Sequence, residues 1–138
     1  MLDSGEKMLD KIKLSVTLPV EPKVIYNAWL DSKAHSDFTR STVSIQKKVG
    51  SRFTAVDGYF EGEIKKMILS KQIVMSWRST DFPEDAVDSL LTVNLEKLPG
   101  ATKVILVHED LPEGDGKKYR KVWKDNYFVH MKEYFASI

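Results

Sequence analysis

The chain has 138 residues, 42% of them hydrophobic and 30% charged, and its 21 basic and 20 acidic residues leave a net charge of +1. That composition excludes a disordered polymer, and the charge balance gives no global reason to bind nucleic acid or an anionic membrane. With no cysteine, disulfides, thiolate metal sites, iron–sulfur clusters and cysteine nucleophiles are all excluded.

Residues 1–10 mix charges of both signs without the apolar core of a signal peptide, and read as a flexible leader before a single domain over 11–138. No apolar run approaches the ~20 residues that span a bilayer, so the expectation is a cytoplasmic protein without membrane insertion.

From Lys11 the chain alternates. Ile12, Leu14, Val16 and Leu18 interleave with Lys13, Ser15 and Thr17, the period of a half-buried strand that Pro19 ends. Glu21-Pro22 suits a helix start, and Val24, Ile25, Ala28 and Trp29 form its apolar stripe. Asp31 and Ser32 break that stripe and cap a second short helix through about Phe38. The helical period then disappears. Val43–Lys47 and Arg52–Val56 are short strand candidates around a Gly50-Ser51 turn, and Asp57-Gly58 is either a tight turn or a bulge. Gly58–Met67 sets Phe60 and Ile64 on one face, with Gly62 leaving room between them, and Glu61 and Glu63 on the other. Three further strands group Ile73, Met75 and Trp77, then Leu91, Val93 and Leu95, then Val104, Leu106 and His108.

The chain closes on an amphipathic helix over Gly116–Ser137, about 30 Å long, with Asp115 as its expected cap. At 100° per residue Tyr119, Val122, Trp123, Asn126, Tyr127, His130 and Tyr134 share one face, widened by Phe128, Met131 and Phe135. A helix face this aromatic needs a broad apolar partner. The order is therefore one strand, two short helices, further short strands and a long helix. It predicts an α+β fold in which a curved antiparallel sheet of about six or seven strands wraps around the last helix.

Several segments then carry a resemblance: VDGYFEGEI at 56–64, IVMSWR at 73–78 with the FPED loop after it, LTVNL at 91–95, TKVILVHE at 102–109 and VWKDNYF at 122–128, with AHSDFT at 34–39 upstream. In order and spacing they resemble the C-terminal domain of the activator of heat-shock protein 90 ATPase, within the START-like (SRPBCC, Bet v 1-like) superfamily. The resemblance implies the helix-grip fold and a chaperone as one expected partner. In two-domain members of the family a separate N-terminal domain engages the chaperone.

Candidate chemistry is sparse. His35, His108 and His130 lie in different elements without metal-ligand spacing, so no metal and no cofactor are expected. Glu61 and Glu63 share a solvent face. His108 points between sheet and helix, where it either acts as an acid/base group or is a buried imidazole bonded to a neighbouring strand or to Asn126. Phe60, Ile73, Met75, Trp77, Leu91, Leu95, Leu106, His108, Trp123, Tyr127 and His130 line that space, and Gly62 enlarges it. Two outcomes stay open: an apolar pocket of a few hundred Å³ for a small ligand, or a core closed by these large side chains. Three functions follow as rivals: a small apolar ligand held in the cavity, a protein-binding module acting on a chaperone ATPase, and a cavity enzyme using His108. A monomer or a homodimer fits each.

Overall fold

The computed structural model describes residues 8–138. The expected leader falls largely on residues 1–7, outside this range. Six strands build the sheet: β1 (Asp10–Leu18), β2 (Arg52–Ala55), β3 (Phe60–Ile68), β4 (Gln72–Ser79), β5 (Ser89–Leu98) and β6 (Ala101–Leu111). Their spatial order is β1-β6-β5-β4-β3-β2, antiparallel throughout. Hairpin links join β2 through β6 in sequence, while β1 reaches across the chain to pair with β6, Leu14 opposite Leu106. The expected alternation holds, with Phe60, Ile64, Ile73, Met75, Trp77, Leu91, Val93, Val104, Leu106 and His108 all buried on one face.

Two helices follow β1, α1 (Pro22–Trp29) and α2 (Ser32–Thr39). Pro22 opens the first, and the Asp31 carboxylate caps the second by accepting the Ala34 N–H at 2.9 Å. The segment after α2 departs from expectation. Val43–Lys47 makes a single bridge, Ser44 to Thr54, instead of a strand. Its alternate residues pair with α2 side chains. Ser32 Oγ donates to the Ile45 carbonyl and accepts its N–H, both at 2.9 Å. Ser36 Oγ serves Val43 in the same way, at 3.2 and 2.9 Å. Two hydroxyls one helical turn apart thus satisfy backbone groups that a neighbouring strand would otherwise take.

The loop 80–88 is held by one side chain. Arg78 donates to the carbonyls of Ala86 (2.7 Å) and Pro83 (2.9 Å) and to Asp88 (3.1 Å).

The closing helix has three parts: α3 (Gly116–Val122), a π-helical segment (Trp123–Phe128) and α4 (Val129–Ala136). In the π segment the Val129 N–H reaches back five residues to the Lys124 carbonyl, so each turn holds one residue more than an α-turn. The consequence is a change of face. Tyr119, Trp123 and Tyr127 are buried as expected, but beyond the π segment Met131 and Phe135 are buried while His130 and Tyr134 are half-exposed. One extra residue in the wide turn moves the buried face one position along the sequence.

The helix is capped from a distance. Asp115 makes no side-chain cap, and Asp10, at the start of β1, accepts the Gly116 N–H at 2.7 Å. A Cβ at position 116 would stand 3.0 Å from that carboxylate and 3.1 Å from Ile12, so any larger residue would have to push one of these side chains aside by a few tenths of an ångström. Both α3 and α4 pack beside β1, and α4 also packs against α2.

Candidate functional site

The space between sheet and helix is filled with rings. Trp77 lies 5.0 Å from Phe60 and 5.2 Å from both Trp123 and Phe53, and Trp123 lies 4.8 Å from Tyr127. Ten of the eleven expected lining residues are buried, while His130 stands half-buried outside this cluster for the reason just given. Gly62 does not enlarge the space. A Cβ there would come within 1.9 Å of the Ser76 carbonyl and 2.7 Å of the Phe53 ring. The glycine admits Phe53 and the β4 backbone at close range, and the aromatic ring takes the place of a side chain.

Two buried histidines flank the π segment, each bonded to one of its aromatics. The Trp123 indole N–H donates to His108 Nδ1 at 3.0 Å. Because an indole nitrogen only donates, the His108 proton sits on Nε2 and is given to Ser89 Oγ at 2.7 Å. Ser89 in turn donates to the Trp77 carbonyl at 2.6 Å. This chain ties the helix to β6, β5 and β4 in one direction, with both imidazole nitrogens used. Burial pushes the His108 pKa down to about 3, which holds the ring neutral.

His35 forms the second link. Its Nδ1–H donates to the Trp29 carbonyl at 2.7 Å, leaving Nε2 to accept the Tyr127 hydroxyl at 2.9 Å. Burial pushes its pKa down to about 4, and the Trp29 contact opposes this only in part. The ring stacks on Phe38 at 4.6 Å. Burial also raises the Tyr127 phenol above the ordinary range. Neither His35 nor Ser89 stood among the expected site residues. Both share the phase of apolar neighbours, His35 with Phe38 on α2 and Ser89 with Leu91 on β5.

Two buried donors in this core find no partner among the described residues: Trp77 Nε1 and the Tyr119 hydroxyl, which is close to Ser79 and Tyr59 but bonds neither in good geometry. No three potential ligand side chains converge on a metal position among the described residues. Glu61 and Glu63 lie on the outer face, Glu61 paired with Arg52 at 3.0 Å. The clefts that do open face outward. One of about 490 Å³ lies between α1, α2 and α4 at Asn27, Asp31, Lys47 and Tyr134, and another of about 440 Å³ lies along β1. No helix among the described residues is long and apolar enough to cross a membrane.

A curved antiparallel sheet closed by a long C-terminal helix, with two short helices after the first strand, defines the helix-grip class of START/Bet v 1-like folds. Within that class the chain belongs to the family described as Activator of Hsp90 ATPase homolog 1-like protein, whose model matches residues 19–136. It is 26% identical over 126 residues to the human activator of 90 kDa heat shock protein ATPase homolog 1, covering 91% of this chain and 37% of the human one. The chain thus spans about a third of the length of the curated relatives it matches. Among solved structures, an HSP90 activator from Plasmodium falciparum superposes with a TM-score of 0.76 at 26% identity, over 87% of this chain and 91% of that one. The Aha1 dimer from Colwellia psychrerythraea superposes equally well, with a TM-score of 0.76 at 18% identity, over 91% and 96%.

Proposed function

We propose that the chain is a protein-binding module that docks on an Hsp90-type chaperone and modulates its ATPase, working through its outer surface. The observation that carries this reading is the filled interior. Phe60, Trp77, His108, Trp123 and Tyr127 occupy the space in which relatives of this fold class would place a ligand, and both histidines spend both ring nitrogens on internal bonds. A general base needs a nitrogen free to reach substrate, so His108 is better explained as a structural link than as a catalytic group. Family membership supplies the kind of partner.

The test immobilises the full chain and passes over it a purified Hsp90-type chaperone, while steady-state ATP hydrolysis is followed in solution. Retention of the chaperone and a changed hydrolysis rate are expected. No retention at high micromolar concentration refutes the reading.

One observation favours a second reading. Trp77 Nε1 and the Tyr119 hydroxyl are buried donors without acceptors, and such groups are costly unless something accepts from them. A small apolar ligand carrying a carbonyl or ether oxygen would satisfy them once the helix has moved outward. Native mass spectrometry of protein purified without denaturation tests this. A mass increment that disappears on unfolding supports an internal ligand, and a bare mass after incubation with an excess of apolar ketones counts against it.

A further inference from the structure

β1 ends the sheet order, so among the described residues its outer edge carries no further strand. Arg120, on the helix, donates to the Lys13 carbonyl at 3.3 Å. Because backbone groups in an antiparallel strand alternate between its two edges, those of Ser15 and Thr17 face the same open side. Beside them runs the groove of about 440 Å³, walled on the other side by Lys124, Phe128, Val129 and Lys132. Val129 is 49% exposed there, an apolar surface on an otherwise polar helix flank. The rim is cationic. Lys121 is taken by Asp125 at 2.7 Å and Lys118 by Asp81 at 2.9 Å, but Lys124 and Lys132 meet no carboxylate among the described residues.

Open strand edge, apolar floor and unneutralised lysines together describe an occupant. We propose that the groove takes an extended acidic segment of a partner protein as an added strand on β1, its backbone paired with Ser15 and Thr17 and its carboxylates on Lys124 and Lys132. This deepens the chaperone reading and rests on it for the kind of partner. A second copy of the chain is the other candidate for an open edge. Charge argues against it: two β1 strands side by side would bring Lys124 and Lys132 of both copies together, whereas an acidic strand meets them with the opposite sign.

The test uses the full chain and a fluorescent peptide of alternating Glu and Val, as long as the 9 residues of β1, with an alternating Lys and Val peptide as its counterpart. Anisotropy reads binding, and amide shifts locate it. The acidic peptide is expected to bind and the basic one not, with shifts at Ser15, Thr17 and Val129. Lys124→Glu with Lys132→Glu should weaken binding about tenfold or more. Ser15→Pro should abolish it while β1 stays paired with β6, because an edge strand tolerates proline where its N–H faces solvent. Equal binding of the two peptides, binding indifferent to Ser15→Pro, or a peptide-free dimer showing the same edge shifts would each overturn the proposal. Chaperone retention measured alongside separates the two ideas. Acidic-peptide binding without chaperone retention refutes the chaperone and leaves the groove, whereas chaperone retention without peptide binding refutes the groove.

Discussion

Acid should destabilise this protein through His35 and His108. Both rings are held neutral in the fold, at about 4 and about 3, against 6.5 for an unperturbed histidine. The unfolded chain therefore binds more protons than the folded one, and stability rises with pH. The stabilisation is complete above 6.5 and is lost progressively as pH falls towards the two folded values. Each unit below 6.5 costs about 1.4 kcal/mol per histidine, so moving from about pH 7 to about pH 5 removes roughly 4 kcal/mol from both together. That is a large part of the ~5–15 kcal/mol available to an ordinary domain. Urea unfolding followed by tryptophan fluorescence across this window measures the loss directly. In His108→Gln the amide can still accept from Trp123 and donate to Ser89 but cannot be protonated, and the loss should halve to roughly 2 kcal/mol. A loss below about 1 kcal/mol in the parent chain would show that these rings are not held neutral.

Three substitutions probe the packing. Gly62→Ala forces a methyl into the Ser76 carbonyl and the Phe53 ring and should cost about 3 kcal/mol or more by urea denaturation; near-neutral stability would mean that β3 and β4 are not in this close contact. Ser89→Ala leaves His108 Nε2–H without a partner, an expected loss of about 1–3 kcal/mol, with the Trp123 emission changed as the chain of bonds is cut. Ser32→Ala or Ser36→Ala frees the 43–45 backbone, so amide exchange at Ile45 or Val43 should accelerate more than exchange in β4, and uniform protection in both variants would contradict the role given to these hydroxyls.

Much of this was legible in the residues. Period-two alternation located all six strands because one face of each is buried and the other solvated, and Pro22 and Asp31 marked the two short helices by their cap chemistry. The site was legible by phase. Phe60, Trp77, His108 and Trp123 meet because each sits on the inward face of its own element. What escaped was set by contacts between distant residues. A wide turn at Trp123–Phe128 cannot be seen from a 100° period, so His130 was placed where Met131 lies. The space opposite Gly62 was open on paper, since the Phe53 ring that covers it comes from the neighbouring strand. Asp115 occupied the local cap position, but Asp10 arrives from the other end of the fold. His35 was weighed only as a metal ligand, since its partner Tyr127 lies 92 residues further along the chain.

The pairing of β1 with β6 also dictates an order of events during synthesis. Asp10 faces Leu111 in the finished sheet, so the first strand has no neighbour until about a hundred residues have been made, a loop closure whose entropy is paid late. The hairpins β2 to β5 can pair while the chain still lengthens, but their buried face stays bare until Gly116–Ala136 has emerged to cover it. A ribosome stalled between β6 and the last helix would display Phe60, Trp77, Leu91 and Leu106 to solvent, and such a nascent chain should itself be a client of holding chaperones.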